Sequence, residues 1–405
     1  MRPLAGVWGL PQFQYRRRPV IKRFSTLYAG QVDLDNTGFE GTPVNERGYD
    51  NDKLATPLAT AEAMGKAMDR LGFDTLWMAE HHFQREGYEC IPNILMLAVH
   101  IANRTQRLRI GCGFNIVPMW HPLRLAEDYA VADILTGGRV RFGVGRGYHT
   151  REVETFGAPM QDAAANRELF EEQVELVLKA LREPSFSHHG KHYDIPPRVP
   201  YRGYELEEIT LVPRPQHPVE CWQPIVSASE RGLDFMVRNG INGFMGGGAA
   251  VGGARHPLIE AWQARLAKAG RETELGGDLI IGFSAFITDS EEEAMKRVQP
   301  FVEEHQKMFG PLGFAGVLSD EQIEMLGDPK RARQAGLPTV RDQFEAGSWF
   351  CGPAEQVAEK LLALQEKYPG LEEVMVGQPV GTPRGVILEQ LERFGTEVMP
   401  LLKRG

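Results

Sequence analysis

Four short segments of this chain carry side chains whose type and spacing suit chemistry. The first is Glu80-His81-His82-Phe83. Adjacent side chains of an extended segment point to opposite sides, so only one of the two histidines enters a central pocket. An imidazole there donates or accepts a proton near pH 7, which makes His81 the candidate acid–base residue; the competing reading is a hydrogen-bonded core histidine. Adjacent histidines are poorly spaced for one metal ion, whose ligands sit i, i+2 on a strand or i, i+4 on a helix. His188, His189 and His192 lie in a proline-rich stretch and read as solvated loop residues, so no metal site is expected.

The second segment is Gly111-Cys112-Gly113-Phe114-Asn115, where glycines at a strand end let a planar ligand approach the backbone, or simply serve close packing. The third is Gly143-Val144-Gly145-Arg146-Gly147-Tyr148-His149. Its glycines run GxGxG instead of GxGxxG and no helix begins at once, so the dinucleotide reading fails. Arg146 stands there as a guanidinium among small residues, suited to a phosphate. Arg167 offers a second cation, with a salt bridge to Glu168, Glu171 or Glu172 as the alternative. The fourth segment is Ser227-Ala228-Ser229-Glu230-Arg231-Gly232, a strand running into a helix start. Free N–H groups and the helix dipole favour an anion there, and N-capping by Ser229 is compatible with it. Gly246-Gly247-Gly248 offers more unhindered backbone.

These segments all follow strand-like runs, and the elements around them alternate. Strands are expected at residues 24–28, 73–79, 108–114, 140–144, 223–228, 241–245, 279–288 and 373–376. Helices are expected at 57–71, 93–103, 122–135, 162–181, 229–238, 256–269, 290–308, 353–368 and 385–402. Strands alternating with helices imply parallel pairing through crossovers. About eight such units predict an α/β fold, a closed (β/α)₈ TIM barrel with insertions, over a doubly wound open sheet. Chemistry in a barrel belongs at the strand C-terminal ends, where all four segments fall. Residues 24–405 read as one domain. Residues 1–23 read as a flexible extension, because Arg16-Arg17-Arg18 follows its apolar stretch and a secretory signal has the reverse order. Residues 310–350 break the rhythm and are an insertion or lid candidate; the loop 38–52 is a second segment that could shape a pocket.

Composition narrows the class. With 42% hydrophobic and 24% charged residues among 405, the chain is neither disordered nor fibrous. A net charge of −9 argues against a nucleic-acid partner. The four cysteines form no CxxC pair and read as reduced thiols of a cytoplasmic protein. No apolar run approaches the roughly 20 residues that a membrane helix needs.

The ordered motifs resemble the bacterial luciferase-like family of flavin-dependent monooxygenases. The segments are Phe73-Asp74-Thr75-Leu76-Trp77 with Glu80-His81-His82-Phe83; His121-Pro122-Leu123-Arg124 with Ala126-Glu127-Asp128; Gly137-Gly138-Arg139-Val140-Arg141-Phe142-Gly143 with Arg146-Gly147; Phe156-Gly157; and Gly352-Pro353-Ala354-Glu355. Val398-Met399-Pro400-Leu401-Leu402 also fits, so the likeness covers nearly all of residues 24–402. It implies a barrel that binds reduced FMN delivered by a separate reductase. O₂ adds at flavin C4a, and the peroxyflavin oxidises a small organic molecule such as an aldehyde, ketone or terpene. It implies that His81 is the catalytic histidine and that Arg146, Arg167, Ser229 and the adjoining Ala228 and Gly232 lie on the phosphate side. Gly113-Phe114 falls where the family holds a cis peptide against the flavin ring. Gly145 stands where luciferase proper has a cysteine, so light emission is not expected. The family is usually dimeric, which implies a homodimer. Rival readings are a deazaflavin (F420)-dependent oxidoreductase of the same fold, a non-catalytic flavin-binding partner subunit and, more distantly, a metallohydrolase.

Overall fold

A computed structural model describes residues 21–245, 255–314 and 318–403. Its strands β1 (Arg23–Tyr28), β2 (Thr75–Met78), β3 (Arg109–Cys112), β4 (Val140–Gly145), β5 (Cys221–Pro224), β6 (Asn242–Met245), β7 (Leu279–Ile287) and β8 (Glu373–Gly377) pair in parallel in chain order. β8 pairs with β1 and β4 with β5, which closes the ring. β2 and β4 are buried at every position, as parallel strands covered by helices must be. This is the expected (β/α)₈ barrel.

The crossover helices start and stop where their capping residues dictate. Helix α1 (Asn51–Leu71) begins at the Asp50 carboxylate, which accepts from Lys53 N, and ends at Gly72 with φ 84°. The sequence reading started this helix at Pro57, six residues late. Pro57 cannot donate to the Lys53 carbonyl, and the Thr56 hydroxyl takes that acceptor instead at 2.7 Å, so the helix runs through the proline. Helix α2 (Ile94–Ala102) is capped by Asn93. Helix α3 (Pro122–Thr136) carries its proline at the first position and stops at Gly137. A short helix, α4 (Thr150–Thr155), was not anticipated. Helix α5 (Ala163–Arg182) follows Asp162, and helix α6 (Glu230–Arg238) follows Ser229. Helix α7 (His256–Lys268) and helix α8 (Glu291–Phe309) complete the middle of the chain.

Other boundaries also differ from expectation. β5 ends at Pro224; Ile225 N still donates to Phe244 O at 2.9 Å, and residues 226–229 form a rim loop instead of continuing the strand. The closing helix is Arg384–Arg393, then a widened turn at Phe394–Val398, then Met399–Lys403. The excursion after α5 folds back as two small antiparallel pairs. Two of its histidines are hydrogen-bonded to carboxylates of α5 rather than simply solvated: His188 with Glu172 at 3.1 Å and His192 with Glu168 at 3.0 Å. The lid candidate contains helices at Asp320–Leu326 and Val340–Glu345, both with capping boxes, and a strand, Trp349–Gly352, that pairs with β7. Residues 1–20 lie outside the described residues, as do Gly246, Gly247 and Gly248. Ile21 is buried, and Lys22 and Arg23 donate their backbone N–H to Glu372 O, so the barrel's order already includes them.

The two ends of the barrel differ. At the N-terminal end Arg141 is buried, bonded to Glu373 at 2.8 Å and to Glu220 at 3.0 Å, with Trp77 and Trp222 against its guanidinium at 4.8 and 4.5 Å. That end is sealed by a structural ion cluster. The polar groups left for chemistry are at the other end.

Candidate active site at the C-terminal rim

The segment after β2 splits as the alternation rule requires. Glu80 is buried and accepts from Ile116 N and Trp120 Nε1, both at 2.8 Å, while its other close partner is His82 Nε2 at 3.1 Å. Glu80 and His82 therefore brace the loop after β3. His81 points elsewhere, into a buried polar cluster, with 4% of its surface exposed.

Each nitrogen of the His81 ring has a defined environment. Nδ1 lies 3.1 Å from Glu152 Oε2 in α4. Nε2 lies 2.9 Å from the Tyr148 hydroxyl and 3.2 Å from Glu89 Oε1. Tyr148 donates to Glu89 Oε1 at 2.8 Å, and His149 Nε2 meets the other Glu89 oxygen at 2.9 Å. Gln84 Nε2 donates to Glu152 at 2.9 Å. Burial opposes a charge on His81, but Glu89 and Glu152 outweigh it and raise its pKa above the ordinary 6.5. Burial likewise opposes the Glu152 carboxylate, and His81 more than reverses this, lowering its pKa. The Tyr148 phenol is held well above its usual value by burial and by Glu89, so it stays protonated.

This arrangement can move a proton. With Nδ1–H donated to Glu152, Nε2 accepts from the Tyr148 hydroxyl. With both nitrogens protonated, Nε2–H donates to Tyr148, whose own proton points to Glu89. One ligand atom each from His81, His149 and Glu152 lie within 4.8 Å of one another; His81 and Glu152 are hydrogen-bonded to each other.

The sequence-selected cations lie together in a separate cavity. Arg146, Arg167, Ser229 and Gly232 line it with Glu171 and Gln223. Burial and the neighbouring Arg167 lower the pKa of Arg146, and its hydrogen-bond partner is neutral Asn166 Oδ1 at 3.4 Å. Arg167 has Glu171 at 3.8 Å, but Glu171 is engaged more closely by Arg231 at 2.7 Å. The Ser229 hydroxyl caps α6 by accepting from Gly232 N at 3.4 Å. A buried oxygen, Gln223 Oε1, has no partner among the described residues. Two cations with one shared carboxylate and a helix N-terminus form a donor set that suits a phosphate, and the orphan amide oxygen is free to accept from a polar substituent beside it. Ala228 belongs to the same rim loop but is not among the residues lining this cavity.

Between these features lies Gly113-Phe114, joined by a cis peptide bond. A Cβ on Gly113 would come 3.2 Å from Leu27 Cδ1 and 3.3 Å from Trp77 Cβ, so the floor of the rim is tightly packed here. Gly145 is similar: a Cβ would lie 3.2 Å from that of Phe114. All four cysteines are free, and burial pushes each thiol up to about 12, which leaves no thiolate for nucleophilic or redox work near neutrality.

Sequence reasoning located His81, Arg146, Arg167 and Ser229 but assigned no role to Glu89, Tyr148, His149 or Glu152. Tyr148 and His149 follow β4 directly, so the rule that placed Arg146 could have found them. Glu89 and Glu152 come from a loop and an unanticipated helix and left no comparable signal.

The fold and rim define a class, a (β/α)₈ barrel with an acid–base cluster and an anion cradle at one end. The chain matches the family model of the luciferase-like monooxygenases over residues 39–369, and it belongs to that family. It is 30% identical over 200 residues to an uncharacterized protein of Sinorhizobium fredii, covering 49% of this chain and 52% of that one. It is 29% identical over 176 residues to the oxygenase component of the flavin-dependent trigonelline monooxygenase of Acinetobacter baylyi, covering 43% and 44%. The chain thus spans about half the length of the curated relatives it matches. The FMN complex of the oxygenating constituent of 3,6-diketocamphane monooxygenase from Pseudomonas putida superposes with a TM-score of 0.64 at 19% identity, over 94% of this chain and 98% of that one, which is a likeness of fold. Among the described residues no helix is long and apolar enough to cross a membrane.

Proposed function

We propose that this protein is the oxygenase of a flavin-dependent monooxygenase, using reduced FMN and O₂ to oxidise a small organic substrate such as an aldehyde, ketone or terpene. The observation that carries the reading is the pairing of two features on one rim: a half-buried Arg146 beside Arg167 with no carboxylate of its own, and His81 held between Glu89 and Glu152. Arg146, Arg167, the α6 N-terminus at Ser229 and Gly232, and Gln223 would hold the phosphate side of FMN, with Gly113 and Phe114 along its ring. Reduced FMN would supply the electrons that activate O₂. The protein's part is to bind, to exclude water and to handle protons. His81 takes or gives the proton, with Tyr148 and Glu89 as its outlet and Glu152 fixing the ring.

The relative from Acinetobacter carries its name as an oxygenase component, which supports a separate flavin reductase as partner. A homodimer acting in the cytoplasm completes the proposal.

Titration with reduced FMN under argon, followed by O₂ and a panel of aldehydes, ketones and terpenes, tests it. His81→Ala should keep flavin affinity and lower turnover by about 10²–10⁴; an unchanged rate removes His81 from the mechanism. Turnover without O₂ would instead establish the F420-type hydride-transfer reading. Failure to bind any reduced flavin would leave a partner subunit.

A further inference from the structure

The rim carries a second histidine that no part of this mechanism uses. His305 lies in α8, which crosses from β7 toward the mouth of the barrel. Its Nδ1 accepts a hydrogen bond from Val380 N at 3.3 Å. Val380 follows β8 by three residues, so this bond pins His305 to the C-terminal rim. An Nδ1 that accepts is unprotonated, which puts the single proton of the neutral ring on Nε2. That Nε2–H has no hydrogen-bond partner among the described residues, although the ring is only partly accessible.

The surroundings are apolar and aromatic. The His305 and Phe309 rings are 4.5 Å apart, Phe309 and Tyr148 are 6.3 Å apart, and Tyr148 and His81 are 5.2 Å apart. Phe314 packs against both Tyr148 at 5.0 Å and Phe309 at 5.3 Å. This chain of rings joins the residue bonded after β8 to those after β4 and β2. β8 and β4 are opposite one another in an eight-strand ring, so the aromatic wall bridges the mouth, with His81 at one end and His305 at the other. Burial pushes His305 down to about 4, with Glu89 opposing, so the ring is neutral at physiological pH.

We propose that His305 is a specificity-determining residue whose Nε2–H binds an uncharged acceptor atom, such as a carbonyl oxygen, of an otherwise apolar substrate lying against Phe309 and Phe314. A neutral donor in an apolar wall attracts a neutral acceptor, and an N–H left without a protein partner among apolar rings favours a ligand that pairs it over one of the same shape that does not. Anions are disfavoured here as well, because Glu89 and Glu152 place two buried carboxylates behind Tyr148. The inference takes from the proposed function only that the substrate binds at this rim.

The test uses cyclohexanone and methylenecyclohexane, ligands of one shape with and without the acceptor oxygen, bound to the full chain without flavin. In His305→Phe the Kd for the ketone should rise about tenfold, the worth of one hydrogen bond, while that of the hydrocarbon stays unchanged. His305→Gln, which keeps an N–H donor, should restore most of the ketone affinity. Equal losses for both ligands, no loss for either, or a wild-type protein that binds no ketone would overturn the proposal. Imidazole ¹⁵N spectra of the wild type give a readout that needs no variant to fold: they should show His305 neutral at pH 6 with its proton on Nε2, and the other tautomer or a charged ring would overturn it. Reduced-flavin titration of the same samples is a separate measurement, so loss of flavin binding would overturn the oxygenase reading while leaving the ketone result to decide this one.

Discussion

Nδ1 of His81 and Oε2 of Glu152 are 3.1 Å apart across 71 residues of sequence, with 4% and 2% of their side chains exposed. One comes from the end of β2 and the other from the short helix after β4. Each shifts the other's titration in the direction that keeps both charged. His81, with its raised pKa, contributes stability fully below about 6.5 and loses it as pH climbs through its folded value. Glu152, with its lowered pKa, contributes above about 4.5 and loses it as pH falls through its folded value. Glu152→Gln should therefore destabilise the protein most in mildly acidic to neutral buffer and least in alkaline buffer. It should also move the His81 limb of the pH–rate profile to lower pH. Urea unfolding at several pH values and steady-state kinetics check both.

Tyr148→Phe removes the hydroxyl between His81 Nε2 and Glu89 and leaves the ring packed on Phe309 and Phe314. Turnover should fall by about tenfold or more, with substrate affinity nearly unchanged. A split between kcat and KM distinguishes this positioning role from a packing role, which would move both.

Arg146→Gln should weaken FMN by about tenfold or more, since a charge-assisted bond to phosphate is worth roughly 1.5–3 kcal/mol. Riboflavin, which has no phosphate, should bind wild type and variant alike. Fluorescence titration of the two flavins makes the comparison, and a steeper salt dependence for FMN in the wild type should accompany it.

The loop after β1 is clamped by charge. Glu304, fully buried in α8, accepts from Gly38 N at 2.9 Å and from Arg47 Nε at 3.1 Å, has Lys307 at 2.9 Å and is bonded by the Tyr88 hydroxyl. Glu303 beside it takes Phe39 N at 3.0 Å and Arg333 at 2.7 Å. Arg47→Met leaves a buried carboxylate with Lys307 as its one remaining close cation among the described residues and strips the donors from the Asp35 and Asn36 carbonyls, and should cost about 2–4 kcal/mol in chemical denaturation. Because Arg333 belongs to residues 310–350, the two segments expected to shape the pocket are tied together through Glu303.

Gly111→Ala should be among the most damaging small substitutions. Its Cβ would fall 2.2 Å from Trp77 Cε3, in a barrel interior where Trp77 is also held by Phe244 and Arg141. A loss of about 1–3 kcal/mol is expected from overpacking, measurable as a lowered Tm.

The alternation of apolar runs and amphipathic stretches, punctuated by Asn93, Gly72 and Gly137, specifies the order of strands and helices, because propensity and capping are local. The same strand ends mark His81, Arg146 and Ser229, since a parallel barrel turns all its C-terminal ends to one side. Local rules failed where a neighbour compensated for them. Pro57 sits inside α1 because a threonine hydroxyl takes the orphaned carbonyl. In the charge-rich residues 318–350 the packing is decided at a distance: Leu326, Ala332 and Ala335 pack with Phe39, and Arg333 meets Glu303. Distance in space was never written in the spacing of residues. That Glu152 meets His81, that Tyr148 bridges to Glu89, and that Val380 fixes the proton of His305 depend on closing the ring of strands, which brings side chains far apart in sequence within hydrogen-bond reach and removes the water that would otherwise mask their charges.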